Sequence, residues 1–342
     1  MIKRIIAASV LALMLILSGG CGHTEDSTNS NTVTVLCAAF AEYDWTRNIL
    51  GENPGNVDLQ LLNASGMDMH SYQPSVADMV KIADADLVVY TGGESEFWIE
   101  DALESSAADA ADRQSLSMME VFEHNHELAD RYSSDGDEDH NHDHDYGHGH
   151  ETAGDEASHE SHIHSTDEHL WLSPVMASAF ITEITEAICV LDPHNEDYYR
   201  SNASSYTEKI RQLNDSFKEV ADAAGYNTIL FADRYPFKYL LEDYGLRHVA
   251  AFPGCSAETE ASFETILNLS ETMDNMALDS VIILHKSSPD LARTVISNSG
   301  HPDAEILILN SMQSVTAKDI ECGASWISIM NENLASLRQA LD

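Results

Sequence analysis

From Thr32 onward the chain alternates short apolar segments with amphipathic ones, and this alternation restricts the fold more than any other feature of the sequence. The apolar segments are rich in β-branched residues, which favour strands, and the segments between them have the spacing of helices. In the first half the strand-like segments are 33–40, 57–62 and 87–90, and the helical patterns are 45–50 and 74–83. Strict alternation of strands and helices predicts a parallel sheet that helices cover on both faces.

The same alternation returns in the second half of the chain. There the strand-like segments are 228–232, 249–252, 280–284 and 306–309, and the helical patterns are 236–244, 262–277, 292–298 and a final helix to the C-terminus. Between the halves, Pro174 opens a helix to about Leu191, and one amphipathic helix of about thirty residues follows, about 45 Å long and able to span two lobes. We therefore predict an α/β lobe at 32–194, a connecting helix at 195–224 and a second α/β lobe at 225–342.

The first twenty residues have the pattern of an export signal. Two basic residues precede an apolar run, 5–17, that is short for a membrane anchor and suits a secretory signal. Small residues then lead to Cys21, and this order resembles a bacterial lipoprotein cleavage site, although Ser18 stands where Leu is usual. We predict a signal peptide at 1–20, lipidation of Cys21 and a flexible polar tether at 21–31.

The formal net charge of −41, from 58 acidic residues against 17 lysines and arginines, excludes one class of partner. A protein that binds nucleic acid needs a basic surface for the phosphates, so nucleic acid is not an expected ligand. The acidity suits a surface that attracts cations, and it equally suits an exposed protein that charge keeps soluble.

A histidine-rich stretch, 124–168, interrupts the first lobe. It contains few apolar residues, so burial cannot offset the entropy of ordering it, and we predict a disordered, solvated loop. An acidic linker would explain the Asp and Glu residues but not the repeated His-x-His spacing. Imidazole with carboxylates suits zinc, and also nickel, cobalt or copper, so we predict accessory metal capture. The residues are His140, His142, His144, His148, His150, His162 and His164.

Polar residues stand where several predicted strands end, the edge at which open parallel sheets bind ligands. In the first lobe, His70 follows the second strand within NASGMDMHSYQPS. His169 lies in DEHLWLSP, directly after the histidine-rich stretch. In the second lobe the strand-end residues are Asp233, Glu258, Glu260 and His285. Taken singly, each is equally explained as a surface residue, a helix N-cap or a first-turn carboxylate.

In combination these residues resemble the zinc/manganese family of substrate-binding proteins for bacterial ABC importers. The likeness runs from about Val33 to the end of the chain and rests on GMDMHSYQPS, DEHLWLSP, YLLEDYGL and ETEAS in this order. It implies two similar α/β lobes with parallel sheets joined by one long connecting helix, with a metal site in the cleft between them. It also implies a binding protein without covalent chemistry, not an enzyme.

By this resemblance, His70 and His169 are metal ligands from the first lobe. Zinc members have a third histidine before the Tyr-Gly-Leu helix, but FADRYPFKY contains none, and Asp233 is the nearest candidate. Manganese members use a glutamate of the acidic segment, which points to Glu260, with Glu258 second. The aspartate that some members contribute from the second lobe is not evident, because LNSMQS occupies that stretch.

Two imidazoles with one or two carboxylates suit tetrahedral zinc and also accept manganese, whereas the histidine-rich stretch favours zinc. Zinc is therefore the expected cargo, with manganese as the alternative. Its affinity should fall as the pH drops through about 6.5, because histidine binds metal only as the neutral base. The resemblance further implies a monomer on the outer face of the cytoplasmic membrane, partnered by a permease and its ATPase.

Four cysteines lie beyond Cys21 without a Cys-x-x-Cys pair, so neither a structural zinc cluster nor a redox dithiol is expected. Buried thiols are the expected state. The family fold places Cys37 and Cys255 at strand ends that point towards the cleft, so we hypothesise that they pair or lend a thiolate to the metal.

Two other classes of function stay open at this point. A secreted zinc hydrolase would need His-Glu-x-x-His, and His126-Glu127 lacks the second histidine. A metal-buffering surface adhesin would share the histidine-rich stretch and the lipid anchor.

Overall fold

In the computed structural model, which describes residues 32–106, 113–132, 167–252, 254 and 261–342, the apolar segments of the first lobe form one parallel sheet. Its strands are β1 (Val33–Cys37), β2 (Val57–Leu61), β3 (Leu87–Tyr90) and β4 (Gln114–Ser117), in the order β2-β1-β3-β4. Every residue of β3 is buried, as expected for an inner strand that helices cover on both faces.

Helices flank this sheet within the described part of the lobe. They are α1 (Phe40–Leu50), α2 (Val76–Asp84), α3 (Phe97–Ser106), α4 (Met118–His124) and α5 (His126–Tyr132). At the start of α2, Ser75 and Asp78 cap each other's backbone N–H groups, which fixes where the helix begins. The sequence predictions include neither β4 nor the helices α3 to α5. β4 is a four-residue edge strand with one buried side chain, so it lacks the pattern of a buried strand.

The predicted histidine-rich loop at 124–168 is wrong at its start. His124 is the last residue of α4, and α5 continues to Tyr132. The physical reason is apolar anchoring, because Leu128 is buried and the ring of Tyr132 packs edge-on against Tyr239. The seven predicted accessory histidines, the signal peptide, Cys21 and the tether lie outside the described residues.

Two long helices follow the first sheet in the chain, and their bounds match the sequence prediction. They are α6 (Pro174–Leu191) and α7 (Glu196–Ala223), separated by a short 3-10 turn. The predicted apolar face of α7 is buried: Tyr199, Tyr206, Ile210, Leu213 and Phe217. By length and composition α6 is apolar enough to cross a membrane. We interpret it as a core helix, because it packs along α7 and its buried face belongs to the hydrophobic core.

The second sheet repeats the arrangement of the first. Its strands are β5 (Thr228–Arg234), β6 (Arg247–Phe252), β7 (Ser280–Leu284) and β8 (Glu305–Leu309), in the order β6-β5-β7-β8. The helices described in this lobe are α8 (Lys238–Asp243), α9 (Phe263–Met276), α10 (Asp290–Asn298), α11 (Ala317–Glu321) and α12 (Trp326–Leu341). The prediction of two similar α/β lobes with parallel sheets is confirmed.

One hydrophobic core extends through both lobes. At its centre the ring of Trp45 in α1 lies 6.1 Å from Phe180 in α6 and 6.0 Å from Trp326 in α12, measured between centroids. Beside these rings the buried Asp44 carboxylate accepts hydrogen bonds from the Tyr206 hydroxyl at 3.1 Å and the Trp326 backbone N–H at 2.9 Å. These contacts fasten α12 to α1 and α7, so the two lobes are packed together as well as linked.

A second connection between the lobes is the bridging segment, Asp167–Ser173. The Tyr239 hydroxyl donates to the Asp167 carbonyl at 2.8 Å, and the Trp171 indole donates to the Ser311 carbonyl at 2.9 Å. The Trp326 indole donates to the Trp171 carbonyl at 2.8 Å. These donors and acceptors belong to the second lobe or to α12, so they hold the bridging segment against that side of the cleft.

Asp243, at the end of α8, contacts the chain on both sides of the undescribed segment 133–166. Its buried carboxylate accepts hydrogen bonds from Ser173 at 2.6 Å and from the Tyr132 hydroxyl, and Arg131 pairs with it at 3.4 Å. Burial raises the pKa of Asp243 to about 6, although these three partners act in the opposite direction. One carboxylate of the second lobe therefore holds the chain before and after this undescribed segment.

Two buried glutamates lie behind the carboxyl ends of β1 and β3. Glu42 accepts a hydrogen bond from the Thr91 hydroxyl at 2.9 Å, while its Oε2 has no hydrogen-bond partner among the described residues. Glu96 accepts the backbone N–H groups of Thr91 at 2.7 Å and Gly92 at 3.0 Å. Burial raises the pKa of Glu42 to about 7, and burial followed by the nearby charge of Glu42 raises the pKa of Glu96 well above its usual value.

Replacing Glu42 with Gln should make the protein relatively more stable as the pH rises. The pKa of Glu42 is raised from 4.5 to about 7, so the folded state retains a proton that the unfolded state loses between these values. The carboxyl therefore contributes less stability as the pH rises through this range, and Gln has no such dependence. We expect Glu42→Gln to gain about 2 to 3 kcal/mol relative to wild type between about pH 5 and pH 8, measured by urea unfolding.

The matched control is Glu52→Gln at an exposed position just beyond α1, which should follow the wild-type pH profile. Parallel profiles for wild type and Glu42→Gln would show that Glu42 does not hold a proton in the folded state.

Candidate metal centre

His70 stands on a 3-10 turn, Met69–Ser71, that follows β2. Asp68 caps this turn, because its Oδ1 accepts the backbone N–H of His70 at 3.1 Å. On the ring, Nδ1 lies 2.5 Å from the Ser95 hydroxyl oxygen. A serine hydroxyl both donates and accepts, so Ser95 orients the imidazole and is compatible with the tautomer that has its lone pair on Nε2.

His169 lies within the bridging segment and is only 2% exposed. Asp167 Oδ1 is 2.9 Å from His169 Nδ1 and 2.9 Å from its backbone nitrogen. Burial alone would raise the pKa of Asp167, but the hydrogen bonds from His169 outweigh it and the pKa is lowered. A carboxylate only accepts, so Nδ1 carries the proton and Nε2 carries the lone pair.

The two imidazoles face each other through their Nε2 atoms, which are 3.5 Å apart. Two nitrogens that share one tetrahedral zinc at about 2.1 Å lie about 3.4 Å from each other. The observed separation is therefore the one that a shared metal ion requires. The structure brings together the two first-lobe residues that the sequence singles out.

A tightly packed loop supports this pair from the side of the first lobe. Ser95 donates its backbone N–H to Glu168 Oε1 at 2.9 Å, and Glu96 in the same loop accepts two backbone N–H groups as described above. Gly93 has a φ of +79°, and a Cβ built there would lie 2.5 Å from Glu168 Oε1, so the loop needs glycine at this position. Hydrogen bonds of Ser95 and Glu96 thus fix the loop that carries the hydroxyl that orients His70.

Asp233, the second-lobe candidate, is used by the backbone. Its Oδ2 accepts the Leu284 N–H at 3.0 Å and its Oδ1 accepts the Arg234 N–H at 2.8 Å, which ties the ends of β5 and β7 together. Among the described residues no three His, Cys, Asp or Glu side chains are grouped closely enough to hold a metal ion. The structure thus does not bring Asp233 to the histidine pair, and its role as a ligand stays a prediction.

Arg234 crosses the cleft. Its guanidinium lies 3.1 Å from Oδ2 of Asp68, whose other carboxylate oxygen caps the turn of His70. Both side chains are about a quarter exposed, at 29% and 24%. An exposed ion pair contributes little to stability, so its main effect is on geometry: the second lobe holds the turn that carries His70.

Gln313 is a contact of His169 that the sequence predictions miss. Its Nε2 lies 3.4 Å from His169 Nε2, and the side chain is 6% exposed. Gln313 belongs to LNSMQS, the stretch that lacks the aspartate of some family members. The signal that points to it is positional, because it follows the carboxyl end of β8.

Several predicted residues are not part of this centre or lie outside the described residues. Glu258, Glu260 and Cys255 are in the undescribed part of the chain. His285 is exposed and lines a separate cavity of the second lobe.

The described cysteines are free thiols. Cys37 is buried, and burial raises the pKa of its thiol far above the usual value, which disfavours a thiolate ligand. The free thiol of Cys37 also contradicts the hypothesised disulfide with Cys255. Cys189 is buried as expected, whereas Cys322 is exposed, so the expectation of buried thiols is wrong for that residue.

Comparison with known proteins gives a consistent picture. A family model described as zinc-uptake complex component A, periplasmic, matches residues 35–340. The zinc-binding lipoprotein AdcA of Streptococcus pneumoniae is 27% identical over 338 residues, which cover 99% of this chain and 60% of AdcA. The high-affinity zinc uptake system protein ZnuA of Bacillus subtilis is 28% identical over 349 residues, with 100% of this chain and 99% of that protein covered. This chain therefore spans less than two thirds of AdcA and nearly all of ZnuA.

Solved structures support the fold. The metal-dependent lipoprotein YcdH from Bacillus subtilis superposes with a TM-score of 0.69 at 23% identity and covers 91% of this chain and 100% of its own. The Zn(II)-bound ZnuA-like domain of Streptococcus pneumoniae AdcA gives a TM-score of 0.67 at 24% identity, with 91% and 99% covered. The arrangement of the two lobes is thus shared with known metal-binding proteins.

Replacing Asp167 with Asn should change the tautomer of His169. The Asn amide is able to donate to Nδ1, which moves the ring proton to Nε2 and removes the lone pair from the centre. We expect the ¹⁵N signals of His169 in the metal-free protein to shift toward the Nε2-protonated form, and any metal held through Nε2 to bind about 10- to 100-fold more weakly. Asp197→Asn, at an exposed position of α7, is the control. An unchanged His169 spectrum in Asp167→Asn would mean that Asp167 does not set the tautomer.

Proposed function

The chain belongs to the zinc-uptake complex component A family, and on this premise we propose that it is an extracytoplasmic solute-binding protein that captures zinc and delivers it to the permease of an ABC importer. The ion binds between the two lobes, and the function needs no covalent chemistry. The ATPase of the importer is the second partner. The names of the relatives, a zinc-binding lipoprotein and a zinc uptake protein, support this proposal.

The observation that carries the proposal is the facing pair of imidazoles. Their Nε2 atoms are 3.5 Å apart, and hydrogen bonds on the opposite ring nitrogens hold both rings in this orientation. Imidazole is a common zinc ligand, whereas manganese prefers oxygen ligands. The donor set therefore supports zinc over manganese as the cargo.

The second lobe completes the coordination in this proposal. Glu260 and Asp233 are the proposed carboxylate ligands from that side. Each carboxylate oxygen of Asp233 already accepts a backbone N–H, so ligation by Asp233 would compete with these hydrogen bonds.

The remaining features of the chain serve capture and delivery in the same proposal. A net charge of −41 attracts divalent cations to the surface. His140, His142, His144, His148, His150, His162 and His164 hold metal weakly and raise its local concentration near the cleft. A lipid on Cys21 keeps the protein on the outer face of the cytoplasmic membrane, where the permease is reached by diffusion in two dimensions.

The direct test is zinc titration of the exported chain in the presence of a chelator that outcompetes its weak zinc sites. We expect one tight site in wild type, a loss of at least about 100-fold in affinity in His70→Ala and in His169→Ala, and no change in the control His194→Ala, which alters an exposed histidine. The affinity of wild type should also fall as the pH drops through about 6.5, because each ligating imidazole must lose its proton.

A further variant separates the cleft from the histidine-rich stretch. With the seven accessory histidines replaced by Ala, the tight site should persist and only weak binding should disappear. If the tight site disappears instead and the His70→Ala protein still binds zinc tightly, a metal-buffering surface protein becomes the better description.

Delivery is tested separately from binding. Zinc uptake into proteoliposomes that contain the permease and ATPase encoded near this chain should require the wild-type protein and should fail with His169→Ala. Equal uptake with and without the protein would contradict the transport role even if the tight site exists.

A further inference from the structure

We propose that Asp243 is a positioning residue for the metal site. Together with Tyr239 it fixes the two ends of the bridging segment, and through that segment it sets where the imidazole of His169 lies. Asp243 itself does not touch the ion. The inference rests on the proposed function, because it makes the position of one proposed ligand depend on a residue outside the site.

Helix α8 contacts both ends of the bridging segment with one face. Tyr239 and Asp243 are four residues apart in α8, and residues at this spacing lie one turn apart on the same side of a helix. The Tyr239 hydroxyl donates to the carbonyl of Asp167, the first residue of the segment, at 2.8 Å. The Asp243 carboxylate accepts from the hydroxyl of Ser173, the last residue, at 2.6 Å. One helix therefore fixes both ends of this short segment.

The bridging segment is stiff enough to transmit this constraint to His169. Its centre is a 3-10 turn, Leu170–Leu172, which begins directly after His169. Within it the Leu172 N–H donates to the His169 carbonyl at 3.3 Å, and the Ser173 N–H donates to the Leu170 carbonyl at 3.2 Å. The side chains of Leu170 and Leu172 are fully buried. Because the turn is hydrogen-bonded and packed, a displacement of Ser173 also displaces His169.

The Ser173 hydroxyl connects Asp243 to the backbone. It accepts the backbone N–H of Met176 at 3.1 Å and thereby caps the N-terminus of α6. Its single proton is then available for the Asp243 carboxylate. Pro174 occupies the first turn of α6 and restricts the backbone there. Asp243 thus fixes the point at which the bridging segment ends and α6 begins.

A buried carboxylate is a costly choice at this position, which argues that its chemistry is needed. The Asp243 side chain is 0% exposed, yet it accepts from Ser173 and from the Tyr132 hydroxyl and pairs with Arg131 at 3.4 Å. An amide has one acceptor oxygen and no charge, so Asn could not hold all three partners. Groups that cost stability in this way are commonest at functional sites. Here the carboxylate joins α5 and the bridging segment to α8.

The next residue, Tyr244, provides a matched comparison. Its hydroxyl donates to Asn214 Oδ1 in α7 at 2.9 Å, and its ring stacks on Phe217 of the same helix. Tyr244 therefore anchors the end of α8 through contacts with α7. Removing its hydroxyl weakens the same end of α8 and leaves the hydrogen bond between Asp243 and Ser173 in place.

The experiment uses the full exported chain and compares Asp243→Asn, Tyr239→Phe and the control Tyr244→Phe, each of which nearly preserves the shape of its side chain. With Zn²⁺ alone as the probe, we expect about tenfold weaker binding in Asp243→Asn and in Tyr239→Phe, and wild-type affinity in Tyr244→Phe. With Co²⁺ alone as the probe, the visible absorption of the bound ion should change in the first two variants only, because His169 is displaced.

Amide hydrogen exchange adds a readout that requires no metal. The N–H groups of Leu172 and Ser173 close the 3-10 turn of the bridging segment, so they report whether its ends are fixed. We expect both to exchange faster in Asp243→Asn and in Tyr239→Phe than in wild type, and at the wild-type rate in Tyr244→Phe.

Two outcomes overturn the proposal. Wild-type zinc affinity and an unchanged Co²⁺ spectrum in Asp243→Asn and Tyr239→Phe would show that α8 does not set the position of His169. An equal loss of zinc affinity in Tyr244→Phe would show that the general stability of α8 matters and not its hold on the bridging segment. In both cases the loss of tight binding in His70→Ala and His169→Ala would still stand, so failure of the positioning role is distinguishable from failure of the zinc-binding function.

Discussion

The bridging segment Asp167–Ser173 is the constraint on which the site depends. His169 belongs to this segment, yet the groups that hold it come from the other side of the cleft: the Tyr239 hydroxyl, the Ser311 carbonyl and the Trp326 indole. Each such buried hydrogen bond contributes about 1 kcal/mol, and an indole N–H left without a partner would cost more. A first-lobe ligand is therefore positioned by the second lobe, and the place of His169 is a property of the assembled pair of lobes.

Pre-organisation follows from this arrangement. The turn of His70 is capped by Asp68, which Arg234 reaches from the second lobe, and the shared core joins α12 to α1 and α7. The two Nε2 atoms consequently stand at ligand spacing, and hydrogen bonds on the opposite ring nitrogens hold both side chains in this orientation. In the proposed function the remaining ligands come from the second lobe, where the Asp233 carboxylate accepts two backbone N–H groups.

Much of this structure could be predicted from the sequence, for physical reasons that differ between elements. Long segments such as α6 and α7 show the periodicity of a helix in their own sequence. His70 follows a strand end, and His169 lies in the distinctive segment DEHLWLSP. β4 could not be predicted, because a short polar edge strand takes its conformation from its neighbour β3. Gln313 was missed because an amide is not a typical metal ligand. Its importance follows from a long-range contact, across 144 residues of sequence, that no local pattern encodes. The start of the histidine-rich loop was misplaced because Leu128 and Tyr132 make tertiary contacts. The polar composition of the whole stretch gives no indication of these two apolar contacts.

The carboxylates nearest the histidine pair show how the first lobe limits its own charge. Glu96 is engaged by the N–H groups of Thr91 and Gly92, Glu168 by the N–H of Ser95, and Asp167 by His169. Burial raises the pKa of both Glu42 and Glu96, so these two glutamates carry less negative charge near the site than exposed carboxylates would. The first lobe thus offers an ion two imidazoles, one of them backed by the Asp167 carboxylate, and in the proposed function carboxylates of the second lobe supply further negative charge. In the proposed function the ion is bound tightly only while both lobes contact it, so a separation of the lobes would weaken its binding, which is the property that a protein needs if it must both capture a metal ion and give it up.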